Sequence, residues 1–429
     1  MAIKGGDLLH VGGTVLIERA QTAGPGQVNL SPEKIYELGN YLGLGTVYDI
    51  PDLSFAMDSL DATAQFEAIL CGADFGTMID GDSLNFAASP PLDVLSEIKN
   101  GVNQVNPDQV AGSAVIPYLN LESVAYNFGV KVNAKQTATL KGDSLFYNPA
   151  GSTAYTQSTV GTATANQSII LTNSAYEYNG AVLDGTKYVL AARLKSGQRL
   201  FYGADYTEAA VITGNVAAVT VTILAPVPTT DSIILVYASD TVSSYPMGNT
   251  GGPPPVGGFQ ADTATTPAAI RGKDIEVFIG AGALVNLTDR WTSVQTVTAD
   301  WKVTLDQDRE FSNSQLVSQD FFVPEVSGTI VVKPRNYADL YNKVATTAGL
   351  ATKTEVGGAV TTVPLPLTVV LHSPTNGAVL KTIYVPDARF TIPGFSGAVQ
   401  AKLEVTFPWT SDQGIMTVYK GAKAGNTAL

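Results

Sequence analysis

Two histidines, one cysteine and a spread of carboxylates are the side chains of this 429-residue chain to test first for chemistry. His10 and His372 stand far apart in sequence, and neither lies beside a Ser or Cys signature. A nucleophile–base pair needs its base within hydrogen-bond reach, and His372 instead closes the strand-like run Val369-Val370-Leu371, which gives it a structural reading. Cys71 ends the apolar run that starts at Phe66 and reads as a buried, inert thiol. A single cysteine also excludes an intrachain disulfide framework and a cysteine-based zinc site. Asp49, Asp52, Asp58 and Asp61 form an acidic set, but alternation along a strand sends them to both faces, as solvated or subunit-facing charges. Phe278-Ile279-Gly280-Ala281-Gly282-Ala283 lacks the third glycine and the βαβ setting of a dinucleotide turn. The sequence therefore predicts no catalytic, cofactor-binding or metal residues, and a protein that is not an enzyme.

What does recur is a pattern. Glu37-Leu38-Gly39-Asn40, followed ten residues later by Pro51-Asp52-Leu53-Ser54, returns as Glu310-Phe311-Ser312-Asn313 and Pro324-Glu325-Val326-Ser327. The offset is 273 residues throughout, and the second copy has Phe322 where the first has Asp49. Each copy precedes a helix-like stretch. A duplicated unit can supply two positions of a symmetric ring.

The elements around the repeat are mostly strands. Residues 8–19 read as one strand with a Gly-Gly irregularity, 20–46 as a long connection, and Thr46–Leu60 as strand. Asp61–Leu70 reads as a helix capped by Asp61. Residues 72–111 read as loop with a short helix at Leu92–Lys99, and Ser123–Val132 and Gln136–Leu145 as strands. Residues 150–166 read as linker, and five short strands between 168 and 238 suit a small β-sandwich. A Gly/Pro linker fills 246–268. In the second unit, Ile275–Ile279, Ser293–Leu305 and Asp320–Lys333 read as strands and Asn336–Thr347 as a helix. Four further strands end near Tyr419, and 306–319 is a second polar connection. The predicted fold class is all-β, with one helix flanking each of two duplicated β-sandwich or barrel units and a small β-sandwich insert. The predicted domains are 1–155, 160–245 (insert), 246–268 (linker) and 269–429.

Composition agrees. Hydrophobic residues at 45% and charged residues at 15% suit a packed globular chain. A net charge of −13 repels phosphates and argues against tight nucleic-acid binding. No run approaches the ~20 apolar residues needed to span a bilayer, and the N-terminus lacks an apolar signal core, so neither membrane insertion nor standard secretion is expected.

The repeated pattern, Glu33–Asn40 with Tyr48–Ser54 and Arg309–Asn313 with Gln319–Gly328, resembles the major tail (tail tube) proteins of long-tailed bacteriophages. The resemblance implies ring assembly of β-sandwich or barrel units, stacked as the tube through which DNA leaves the capsid. It implies self-association into a trimer with pseudo-six-fold symmetry, or alternatively a hexamer. It further implies tape measure, tail terminator and distal tail proteins as partners, DNA passing without tight binding, no cofactor, and a place in the virion tail after assembly in the host cytoplasm. The insert resembles the immunoglobulin-like decorations of such tails. Glu37, Asn40, Pro51, Glu310, Asn313 and Pro324 are the expected assembly residues, and the connections 20–46 and 306–319 are expected to reach a neighbouring ring. The competing expectation is a carbohydrate- or cell-surface-binding β-protein, with Trp291, Trp301 and Trp409 as a stacking platform.

Overall fold

Alternation decides most of the strands. In Leu53–Ser59 the side chains of Leu53, Phe55 and Met57 are buried and Ala56 is exposed, the period-two pattern of a strand covered on one face. A computed structural model describes residues 8–12, 15–16, 20–25, 32–35, 45–48, 53–60, 62–99, 110–148, 153–160, 167–171, 175–176, 188–213, 216–224, 227–228, 231–239, 270–280, 290–308, 318–347, 364–391 and 403–423. Before residue 53 only the backbone is described.

The first unit contains β1 (Leu8–Gly12), β2 (Val15–Leu16), β3 (Ala20–Pro25), β4 (Pro32–Ile35), β5 (Gly45–Tyr48), β6 (Leu53–Ser59), α1 (Gln65–Leu70), β7 (Ser83–Asn85), β8 (Leu92–Lys99), β9 (Val110–Gly129), β10 (Lys135–Gly142) and β11 (Phe146–Asn148). The insert contains β12 (Thr153–Val160), β13 (Gln167–Ile170), β14 (Ala175–Tyr176), β15 (Val189–Leu194), β16 (Arg199–Leu200), β17 (Tyr206–Thr213), β18 (Val216–Ile223) and β19 (Ser232–Ser239). The second unit contains β20 (Ile275–Ile279), β21 (Val294–Lys302), β22 (Leu305–Asp308), β23 (Ser318–Phe321), β24 (Glu325–Val332), α2 (Tyr337–Thr347), β25 (Leu365–His372), β26 (Val379–Phe390), β27 (Val405–Ser411) and β28 (Thr417–Lys420). The fold is all-β with two α-helices among the described residues. Sixteen strands drawn from both units form one antiparallel sheet system, and eight form the insert's own sheet.

The ladders of the two units repeat one another residue for residue. A shift of 273 carries the β4–β5 pairs, Pro32↔Tyr48 to Ile35↔Gly45, onto the β22–β23 pairs, Leu305↔Phe321 to Asp308↔Ser318. It also carries β8 onto β25, while β9 maps onto β26 with a shift of 269. Leu92↔Leu119 becomes Leu365↔Ala388, Ile98↔Gly112 becomes Leu371↔Lys381, and both register irregularities recur in place. β3–β6 corresponds to β21–β24, each with an irregularity near its start. β10 corresponds to β27 and β11 to β28. A bulge that recurs at one position is a built feature of the strand pair.

Several expected elements differ. Leu92–Lys99 is strand β8, not a helix. It lies between β1 and β9, and Leu92 through Ser96 are all buried; a strand covered on both faces loses its alternation and imitates a helix. The span 150–166 holds β12, paired with β19 along its whole length, so the insert's sheet begins at 153 rather than 160. Leu8–Gly12 and Val15–Leu16 are two paired strands rather than one, and Asp320–Lys333 is broken between β23 and β24. The two long connections contain paired hairpins, β4–β5 and β22–β23. Asp61 does not cap α1: the capping position is Ala64, and Thr63 Oγ1 accepts from the Gln65 amide at 3.2 Å. The linker 246–268 lies outside the described residues.

The insert is fastened to the first unit by buried charge. Arg193 meets Asp93 at 2.8 Å and Arg199 meets Asp143 at 2.6 Å, with all four side chains at least 92% buried. Asp93 also accepts from the Tyr118 amide, and the Tyr118 hydroxyl donates to the Gly197 carbonyl at 2.7 Å. Tyr118, at φ 59°, lies where β9 leaves its pairing with β8 and turns to β10, a left-handed backbone that a bulky residue holds only when its surroundings fix it. Leu95 and Val115 of the first unit share a small core with Leu190, Val236 and Ala238 of the insert.

Candidate assembly interface

The two units of one chain meet across a built joint. β9 turns its far edge to β21, pairing Ser123–Gly129 with Thr296–Lys302, and β7 pairs with β28. Phe86 lies 5.6 Å from Trp301. Lys420 donates to the carbonyls of Phe75 and Met78 and lies 4.2 Å above the Phe75 ring. At the centre, Lys381 Nζ sits 2.8 Å from Glu67 Oε1 and 2.8 Å from Gln136 Oε1, and the Tyr126 hydroxyl donates to Glu67. Glu67 and Lys381 are both completely buried. The hydrogen bonds to Gln136 and from Tyr126 offset part of the cost of burying such a pair.

Elsewhere in the chain the counterparts of these elements have fewer partners among the described residues. β21 has a neighbour on each edge, β24 and β9, whereas its counterpart β3 pairs only with β6 among the described residues. β28 takes β7 on its second edge, whereas its counterpart β11 pairs only with β9 among the described residues. Phe66 through Leu70 of α1 are all buried, but α2, its counterpart, exposes Ala338, Asn342 and Thr346.

One face of the main sheet is polar across β6, β10, β9, β21, β24 and β27. The opposite face of these strands is core, with Phe55, Leu140, Tyr126, Trp301, Ile330 and Phe407 buried. The polar face presents threonines, among them Thr137, Thr139, Thr298, Thr329, Thr406 and Thr410. Two of its lysines are matched, Lys135 with Asp58 at 2.9 Å and Lys141 with Glu122 at 3.2 Å, and Lys302 of β21 is exposed on the same face. Asp300 also lies there, its carboxyl raised above the usual range by desolvation. The insert rests on the other layer, against β8 and the first half of β9.

No protein-family model matches the chain, and no curated protein matches it. Of the six residues expected at assembly contacts, five (Glu37, Asn40, Pro51, Glu310 and Asn313) lie outside the described residues. In sequence Glu37 and Asn40 fall between β4 and β5, and Glu310 and Asn313 between β22 and β23. Pro324 is described and half-buried. Its carbonyl packs on Gly414, where an added Cβ would lie 1.9 Å from the Pro324 oxygen and φ is +67°. Pro324 thus anchors the base of the β22–β23 hairpin. Gly414→Ala is expected to lower stability by more than ~1 kcal/mol, measured as a fall in thermal midpoint. Sequence reading missed Glu67, Gln136 and Lys381, which stand 69 and 245 residues apart in order and carry no spacing signal.

Cys71 and His372 are the described members of the reactive set. Burial pushes the Cys71 thiol up to about 12. His372 contacts the Gly377 carbonyl and Glu276 at 3.1 and 3.2 Å. Of the expected acidic set, Asp58 is the one described; it accepts from Thr137 Oγ1 and pairs with Lys135. No cluster of metal-ligating side chains occurs among the described residues, and no described helix is long and apolar enough to cross a membrane. Trp291, Trp301 and Trp409 are core residues with at most 8% exposure and offer no stacking surface.

Proposed function

We propose that this chain is a structural subunit that joins head to tail with copies of itself into closed rings, and that stacked rings form a bacteriophage tail tube. One observation carries the reading: β3, β11 and α2 repeat β21, β28 and α1 of the internal joint but, among the described residues, lack the neighbours those elements have there. A heterologous joint repeated by rotation closes into a ring, and an open strand edge is a template for another chain. The edge of β3 is filled by the second unit of one neighbouring copy, and the outer side of α2 by the first unit of another. Three chains would give six positions, with six chains per ring as the alternative.

The polar face suits the lumen. Each phosphate neutralised by a free Lys or Arg adds affinity for DNA, and two lysines of this face are already paired. The insert lies on the opposite layer and therefore outside the tube. The β4–β5 and β22–β23 hairpins reach the adjacent ring. The tape measure, terminator and distal tail proteins are partners in this reading, and the virion tail is its location.

The test is the oligomeric state. Purified protein at high concentration is expected to form rings and tubes by negative-stain microscopy. Ala338→Glu with Asn342→Glu changes only exposed helix positions, so the fold is expected to survive while ring formation is lost. Wild-type rings from that variant, or no assembly of the unaltered protein, would overturn the proposal.

A further inference from the structure

We propose that the buried Glu67–Lys381 network dictates the order of units around the ring, so that every first unit is flanked by second units. The inference rests on the ring reading above. The repeated registers identify the counterpart of each member of the network. The shift of 273 carries Glu67 onto Leu340, and the shift of 269 carries Lys381 back onto Gly112. By the same shift Gln136 corresponds to Val405. Glu67, Gln136 and Lys381 thus each have an apolar counterpart.

These identities make the possible joints unequal. A first unit followed by a second unit sets Glu67 against Lys381, the joint seen within the chain. A second unit followed by a first unit sets Leu340 against Gly112, with no charge to satisfy. A layer made of first units alone would bury Glu67 against Gly112 at every joint. A layer made of second units alone would bury Lys381 against Leu340. A buried charge without its partner is strongly disfavoured, so both uniform layers are penalised and only the alternating order is free of unpaired charge. The discrimination comes from what the wrong joints lack rather than from extra attraction in the right one. The 30 residues from 240 to 269 between the insert and the second unit span up to about 100 Å when extended, so covalent linkage alone does not exclude uniform layers.

The insert marks the first unit, because Arg193 and Arg199 bind it to Asp93 and Asp143. Cryo-electron microscopy of rings formed by the full-length protein reads the order directly. Insert density at every second position of each ring is the expected result. Inserts at every position of one layer and at none of the next would overturn the inference while leaving the ring reading intact. Failure to form rings would overturn the ring reading instead. A second measurement isolates the network. The full-length variant Glu67→Leu with Lys381→Met replaces the pair by hydrocarbon of similar size, a change that buried pairs tolerate. Its rings are expected to lose strict alternation. Folded variant rings with inserts still at every second position would show that the network does not set the order.

Discussion

Lys381→Met is expected to cost about 3–5 kcal/mol of folding stability, the range for removing one partner of a buried ion pair. Lys381 is wholly buried, and its ammonium is the shared donor to Glu67 and Gln136. Without it, the Glu67 carboxylate stays in the interior facing a thioether. The loss falls at the place where α1, β9 and β10 of the first unit meet β26 of the second, so the two units should loosen together. Denaturant titration followed by tryptophan fluorescence is the measurement, since Trp301 and Trp409 lie in the same core cluster. Adding Glu67→Leu to the same chain should return most of the loss, because a hydrocarbon pair has no desolvation to repay. A single variant as stable as the wild type would show that the pair contributes nothing to the joint.

Arg199→Met is expected to have an effect of the same order, about 3–5 kcal/mol, but at the junction of the insert with the first unit. Asp143 is 1% exposed at its side chain and loses its 2.6 Å partner; Ser144 Oγ still donates to its other oxygen. The guanidinium also lies 5.3 Å over the Tyr118 ring, so the strained turn of β9 loses a contact. The insert has a core of its own around Tyr206, Val221 and Leu235. The variant should therefore unfold in two steps, with the insert released from the first unit before the main sheet opens, and limited proteolysis should cut between them. Arg389→Met provides the control. Asp412 is the counterpart of Asp143 under the 269 shift, but its pair with Arg389 is exposed, and exposed pairs contribute little. A single unchanged transition for Arg199→Met would sink the account of the junction.

The alternating strands β6, β10, β21 and β24 were legible because one face of each is core and the other is not. The helix at α2 was legible from its apolar stripe, and the repeat from Glu37–Asn40 and Glu310–Asn313. β8 was not, because a strand buried on both faces has no period-two signal. β12 was not, because its Ser, Thr and Ala composition matches a linker until β19 is placed beside it. The hairpins β4–β5 and β22–β23 were hidden by polar residues that pair with each other instead of with the main sheet.

Sequence alone determined the all-β class and the 273-residue repeat, since these depend on residue type and local spacing. Only the tertiary structure decided which surfaces meet. Glu67 and Lys381 are 314 residues apart, and Asp93 and Arg193 are 100 apart. Neither distance leaves a periodicity in the chain. Asp143 and Asp412 are the same residue at equivalent positions, yet one is sealed by the insert's arginine and the other meets water. That difference arises from what packs on each strand, because burial, not residue type, sets what a charge is worth.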